Sequence, residues 1–292
     1  MPPLSELLQR GQAPLPDLFY PSVLDLVIVM HIDAYLERIN YNRSREVNAE
    51  TLRALQVAHL MSVPFENLSI HAGEPIVLDE DALYTKIIDQ RRGGFCYECN
   101  GLFAGLLRAL GFDVAMLAAG VARADGSFGP IFDHMALMVT LNERWLVDVG
   151  FGESFLEPLL LDTRADQQQG TQKFRLIEAD DHLVLMRRSD IKGGEDWQPQ
   201  YRFTLQPYTF PDYEEMCQFH QTSPDSHFTK GLICSRATED GRITLSDMRF
   251  ITTSGPQRLR DEQTLPSREE YDRILRDQFG VVIKNLVFRT QL

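Results

Sequence analysis

The run Arg92-Gly93-Gly94-Phe95-Cys96-Tyr97-Glu98-Cys99-Asn100 places a cysteine in the first turn of a predicted helix, directly after two glycines. Unpaired N–H groups and the positive end of the helix dipole stabilise a thiolate there and lower the thiol pKa, and glycines let other groups approach the sulfur closely. The competing reading of any single cysteine is a buried, inert packing residue. Cys96 and Cys99 also form a C-x-x-C, the spacing of a thioredoxin-like redox pair or half of a zinc site. No strand clearly precedes the motif, and Cys217 and Cys234 lie too far apart to complete a four-thiolate site. Cys99 falls on an apolar helical stripe with Phe95, Leu102, Phe103, Leu106 and Leu110, which reads as core packing.

A nucleophilic cysteine needs a base, and the base needs an orienting group. His31, His59, His71, His182, His220 and His227 sit in polar segments or on helix faces with no obvious acidic strand partner. His134 differs, because it opens the apolar strand Met135-Ala136-Leu137-Met138-Val139. The next strand, Trp145-Leu146-Val147-Asp148-Val149-Gly150, carries a lone carboxylate that burial obliges to find a partner. A three-residue loop, Leu141-Asn142-Glu143, sets Ala136 opposite Asp148 and projects His134 from the same face one diagonal step away, about 7 to 8 Å between backbones. A two-residue turn at Asn142-Glu143 puts the two on opposite faces, so the pair predicts the odd loop length.

These groups need a scaffold, and the 292 residues (33.4 kDa, 43% hydrophobic, 24% charged, 10% aromatic) suffice for one large fold or two domains. Helical spacing predicts helices from Ile32 to Ile39, Ala49 to Leu60, Ala82 to Gln90, and Phe95 to a stop at Gly111. From Asp113 short β-like segments follow: 114–121, 134–141, 144–149, 174–177, 182–187 and 201–205. Turn signals at Asp125-Gly126, Asp180-Asp181 and Gly193-Gly194 separate them, giving an antiparallel sheet or small barrel. A helix around Tyr213 to Phe219 leads to a tail of strands with a helix from Ser267 to Phe279. Pro2, Pro3, Pro14, Pro16 and Pro21 break up residues 1–30, which are expected to be poorly ordered, and Met30 is a candidate initiator.

The net charge of −13 is the wrong sign for nucleic acid or an anionic membrane, although local donors can still hold a small phosphate. Four cysteines are too few for a disulfide scaffold and favour a reducing, cytoplasmic setting. The apolar run Val23 to Met30 contains Asp25, falls short of the roughly 18 residues of a membrane span, and lacks the flanks of a signal peptide.

Taken together, R-G-G-F-C-Y-E-x-N, H-M-A-L and V-D-V-G-F-G resemble the arylamine N-acetyltransferases. Ile32 to Ile39 resembles that family's opening helix, Val63-Pro64-Phe65-Glu66-Asn67-Leu68 its next signature, and Ser223 to Leu245 the lead into its third domain. The chain is similar to the bacterial type, from residue 31 to its end. The resemblance implies an α+β fold: a helical bundle (31–118) with the cysteine, a β-barrel (119–215) with histidine and aspartate, and an α/β lid (216–292), around a papain- or transglutaminase-like Cys-His-Asp core. It implies acetyl-CoA as co-substrate and an aromatic amine, hydrazine or hydroxylamine as acceptor. Cys96 would be the nucleophile, His134 the base and Asp148 its orienter, with Arg92 and Glu66 holding the site together. For CoA the loops Gly126-Ser127-Phe128-Gly129 and Gly150-Phe151-Gly152, with Ser226 and Phe228, are the candidates; ordinary hairpin turns are the competing reading of the loops. Phe95, Phe128 and Phe151 are candidates for keeping water from an acetyl thioester.

No metal or prosthetic group is expected, and a monomer and a homodimer are both open. A cysteine hydrolase shares the Cys, His, Asp order, a binding protein would leave the cysteine unreactive, and a relative using another acyl-CoA or closing an amide in biosynthesis would share the family signatures.

Overall fold

The computed structural model describes residues 32–191 and 196–288. The expectations for residues 1–30, His31 and the Gly193-Gly194 turn lie outside those residues. The first part is helical: α1 runs through 32–38 and α2 spans Ala49–Ser62, where the Asn48 side chain accepts from the Thr51 N–H. The two-residue strand β1 (Phe65–Glu66) and the short α3 (Leu68–Ala72) follow. The helix expected over Ala82 to Gln90 is two pieces, α4 (Glu80–Tyr84) and a π-helical turn (Thr85–Asp89). That turn closes with a hydrogen bond from Gln90 N to Thr85 O (2.9 Å) and carries Lys86 toward the next helix. Helix α5 (Cys96–Ala109) is buried from Cys96 through Ala104. Its Leu102, Phe103, Leu106 and Leu107 join the main core, each worth roughly 1.5–3 kcal/mol on burial.

Eight antiparallel strands then build a nearly closed barrel. They are β2 (Asp113–Val121), β3 (His134–Thr140), β4 (Arg144–Val147), β5 (Leu159–Leu160), β6 (Gln167–Gln169), β7 (Gln172–Ala179), β8 (His182–Ser189) and β9 (Gln198–Tyr208). The order is β5-β4-β3-β2-β9-β8-β7-β6, so the long-range pairing of β2 with β9 joins two meanders. The end strands β5 and β6 meet through side chains. Leu160 N donates to Gln167 Oε1 (2.8 Å) and Gln167 Nε2 to Leu160 O (3.0 Å). Leu156 N and Glu157 N donate to Gln169 Oε1 (2.9 and 3.1 Å), and Gln169 Nε2 returns to Glu157 O (2.7 Å). Leu117, Ala136, Leu146, Phe174, Leu185 and Phe203 fill the interior.

Helix α6 (Phe210–Thr222), capped by Asp212 accepting from Thr209 N (2.7 Å), leads to the meander β10 (Ile233–Thr238), β11 (Gly241–Ser246), β12 (Arg249–Ser254) and β13 (Leu259–Thr264). Helix α7 (Arg268–Phe279) covers one face, burying Tyr271, Ile274 and Leu275 against Cys234 and Leu245. β1 extends this sheet at β10, with Phe65 opposite Ser235, and so ties it to the helical part. Among the described residues no helix is long and apolar enough to cross a membrane.

Candidate active site

Cys96 is the first residue of α5, and the helix start is built around it. Glu98 Oε2 accepts the Phe95 N–H (3.1 Å), half of a capping box, while Glu98 Oε1 takes Lys86 Nζ at 2.6 Å. A Cβ on Gly94 would meet Glu98 at 2.6 Å, so the bare position serves this cap, not the expected approach of groups to the sulfur. Cys99 is buried and its Sγ lies 3.1 Å from Gly94 O, in keeping with a packing role. Among the described residues no group of three or more His, Cys, Asp or Glu could hold a metal ion.

The β3–β4 hairpin has the three-residue loop. Thr140 pairs with Arg144 and Leu137 with Val147, and this register carries Ala136 opposite Asp148. His134 Nε2 and Asp148 Oδ2 lie 2.8 Å apart, both buried. The carboxylate is further held at Oδ1 by Asn100 Nδ2 and by Gly150 N, each at 2.9 Å. Asn100 Nδ2 also donates to Met135 O (2.6 Å) and its Oδ1 accepts from Val149 N (2.8 Å), which stitches the cysteine helix to the hairpin. Gln56 adds an approach from α2, its Oε1 accepting from Asp148 N at 3.4 Å.

Cys96, His134, Gly150, Phe151 and Phe228 line one cavity of about 330 Å³, together with Phe65, Asn67, Asp133, His227, Ser246 and Asp247. The rings of Phe151 and Tyr201 flank His134 at 5.1 and 5.0 Å. Burial pushes the Cys96 thiol well up, and the charges of Asp148 and Asp133 reinforce it against a backbone hydrogen bond from Met135. The expected lowering by the helix end is thereby overturned on magnitude. A dipole contributes at most about 2 kcal/mol, whereas full burial can shift a group by roughly 3–5 pKa units at ~1.4 kcal/mol each. A thiolate here requires an adjacent cation.

Glu66 and Arg92 form a buried bidentate pair, Nε to Oε1 at 2.9 Å and Nη2 to Oε2 at 3.2 Å, and Glu66 also accepts from Leu68 N (2.7 Å). The pair fixes the chain on both sides of the Phe65–Gly94 bridge just ahead of Cys96.

The other expected donor-site residues divide. None of Gly126, Ser127, Phe128 and Gly129 lines the cavity. Gly126 and Ser127 form an exposed turn on Asp125, and the Phe128 ring lies 5.2 Å from the Arg202 guanidinium. Gly150 does line it, but a Cβ there would meet Cys96 Cα and Asn100 Nδ2 at 2.7 Å, so its smallness serves the approach of α5. Gly152 packs beside Phe65. Ser226 is buried, with its hydroxyl 3.0 Å from His220 Nδ1, and lines a neighbouring pocket instead. Phe95 is fully buried against Tyr97 and Phe228, behind the cavity wall. His220 and His182 do acquire acidic neighbours, Asp133 at 3.3 Å and Asp181 at 2.5 Å, which the sequence reading had not shown.

Asn100 and Gln56 are the functional candidates the sequence reading missed. Asn100 stands four positions after Cys96, one turn along the same helix, which is the signal that could have found it.

A family model described as N-acetyltransferase matches residues 48–287. The chain is 38% identical over 226 residues to an arylamine N-acetyltransferase of Mycolicibacterium smegmatis, spanning 75% of this chain and 80% of that one. It is 36% identical over 232 residues to proansamycin X synthase of Amycolatopsis mediterranei, spanning 77% and 88% respectively. The structure of Mycobacterium marinum arylamine N-acetyltransferase in complex with CoA superposes with a TM-score of 0.78 at 33% identity, covering 86% of this chain and 92% of that chain. Agreement of sequence and fold over this much of its length shows that the chain belongs to the arylamine N-acetyltransferase family.

Proposed function

We propose that the enzyme transfers the acetyl group of acetyl-CoA to the nitrogen of arylamines, arylhydrazines or arylhydroxylamines by way of an acetyl-cysteine on Cys96. The observation that carries this reading is the 2.8 Å contact of His134 with Asp148 at a cavity that Cys96 also lines. Asp148 holds Nε2 and so leaves Nδ1 to serve the sulfur. His134 takes the thiol proton through Nδ1, and the imidazolium supplies the cation that a buried thiolate needs. The thiolate adds to the thioester carbonyl, backbone N–H groups at the start of α5 stabilise the oxyanion, and CoA leaves with the proton. The amine then attacks acetyl-Cys96, His134 removes its proton, and the thiol returns, so the kinetics are ping-pong.

Phe65, Phe151 and Phe228 on the cavity wall keep water from the acetyl thioester. In this reading the chain divides into parts at 31–118, 119–215 and 216–292, the last acting as a lid, and works in the cytoplasm on foreign amines. Glu66 and Arg92 act by positioning. The near-equal identity to proansamycin X synthase favours, as a second reading, acyl transfer to a nitrogen during biosynthesis.

Acetyl-CoA consumption with and without an arylamine or hydrazine, run beside Cys96→Ala, tests the proposal. Acceptor-dependent CoA release that vanishes in the variant supports it. An absence of turnover despite rapid alkylation of Cys96 would sink the acetyl donor while keeping the nucleophile, and turns the search to other acyl-CoA esters.

A further inference from the structure

We propose that Arg187, Arg242 and Arg258, gathered near Glu153 along β11 from the cavity that Cys96 lines, form an anion subsite that holds a phosphate of the acyl-CoA donor. The inference rests on the acyl-CoA reading above and adds where the donor's charged end is held.

Arg242 is the starting point. It is 8% exposed, yet no carboxylate lies within ion-pair distance of it among the described residues, and its hydrogen bond is to a neutral group, Nη1 to Ser235 Oγ at 3.0 Å. Withdrawing a guanidinium from water without a counter-ion is costly, and a position that merely needed packing is better filled by an apolar side chain. Two more cations stand near it. Arg258 Nη2 bonds Glu153 Oε1, and Arg187 Nη1 lies 3.5 Å from the same oxygen. Burial lowers the Arg242 guanidinium to about 10, the Glu153 charge works against this, and Arg258 and Arg187 add to it, so the four groups share one field. Three guanidinium groups thus face a single carboxylate. The side chains of Arg187, Arg258 and Glu153 are 31%, 27% and 44% exposed, so a ligand can reach them.

The place of this cluster follows from the sheet. Along β11 the residues Arg242, Thr244 and Ser246 share one face, while Ile243 and Leu245 on the other pack toward α7. Ser246 and its partner Ile233 line the cavity that holds Cys96. From Ser246 to Arg242 is four residues, about 13 Å of strand. Between the two ends Ser246 and Thr244 present half-buried hydroxyls, Thr244 being backed by the buried Ser235 hydroxyl 2.7 Å away. Phe65, which lines the cavity and pairs with Ser235, closes this stretch on the side of Gly152, next to Glu153. An extended pantetheine arm has this form: a thioester at one end, amides that can bond hydroxyls along its length, and phosphates at the other. Glu153 fills the subsite in the absence of donor and yields Arg258 and Arg187 when a phosphate arrives. Bidentate guanidinium–phosphate contacts in a half-buried setting then replace the intramolecular ones.

The test compares acetyl-CoA, acetyl-dephospho-CoA and S-acetylpantetheine as donors to the full-length enzyme with a fixed hydrazine acceptor. Arg242→Gln and Arg258→Gln are each expected to reduce the kcat/KM preference for acetyl-CoA over S-acetylpantetheine by roughly tenfold or more, through KM. Glu153→Gln should move the same ratio the other way. The dephospho donor separates the 3′-phosphate from the pyrophosphate as the group held. A loss that falls equally on all three donors, or an unchanged ratio, overturns the subsite. So does a rise confined to KM for 4-aminobenzoate as acceptor, which would mark the site as one for the acceptor's carboxylate. Calorimetric titration with adenosine 3′,5′-bisphosphate reads the subsite without turnover. Binding weakened in Arg242→Gln, in a protein that uses no acyl-CoA, keeps the subsite and rejects the acyl-CoA reading; turnover with binding indifferent to Arg242 does the reverse.

Discussion

Asp148 is held by three donors of different origin: the imidazole of His134, the amide of Asn100 and the Gly150 N–H. Replacing it with Asn keeps the shape but can turn an N–H toward His134 and favour the wrong tautomer. Asp148→Asn should therefore lower the rate of Cys96 acetylation by roughly 10³–10⁴-fold, measured in a single turnover. Glu66 makes a different prediction. Burial opposes its ionisation, but Lys86, Arg92 and the hydrogen bonds it accepts outweigh burial and hold its carboxyl below the usual carboxylate range. The unfolded chain therefore takes up the proton first, near about pH 4.3, so the stability from this ion is complete above that value and is lost as pH falls through the folded-state one. Glu66→Gln leaves Arg92 with the half-exposed Glu74 (3.1 Å), at a cost of roughly 3–5 kcal/mol. Urea titrations across the acid range should show a lower and flatter stability curve for the variant. The contact of His134 with Asp148, and the cavity that His134 shares with Cys96, were legible because each residue is out of character with its surroundings: a thiol after two glycines, and an imidazole and a carboxylate in apolar strands. Asn100 and Gln56 gave no such contrast, since a neutral amide is ordinary on a helix and their partners lie 48 and 92 positions away.

The hairpin of β3 and β4 is the element on which the site turns. Its loop length decides which face Asp148 presents, and deleting Asn142 leaves the two-residue connection that sends His134 and Asp148 to opposite sides. Turnover should fall below detection in that variant, and a urea titration should show a weakened barrel, because Leu146 and Val147 exchange a buried face for the other one. The loop was readable from chemistry alone, as the length that lets a buried carboxylate find a partner. Helices α2, α5 and α7 and most barrel strands also came through, because each has a long enough periodic run. β1, β5 and β6 did not, having two, two and three residues. Their pairing is dictated by distant strands. The π-helical turn was hidden for a related reason: it answers the need of Lys86 to reach Glu98 and leaves the apolar spacing of 82–90 unchanged.

The passage from helices to strands near Asp113, and a tail of strands with a helix, were visible as changes of periodicity along the chain, but what binds these parts was not. The clasp of Glu66 to Arg92, the seating of β1 on β10 and the approach of α5 to Gly150 are contacts between segments with no common pattern. The joint between β5 and β6 was equally opaque, since Gln167-Gln168-Gln169 reads as solvated chain. Gln167→Ala removes one donor and one acceptor from that joint and should cost about 1–2 kcal/mol in a urea titration. A joint of flexible side chains differs in kind from a backbone ladder, whose bonds must break together. The cylinder therefore has a prescribed line along which it breathes. Under native conditions the amide protons of Leu156, Glu157 and Leu160 should exchange with solvent by local opening, well before those shared by β2 and β9, which wait for the whole fold to come apart.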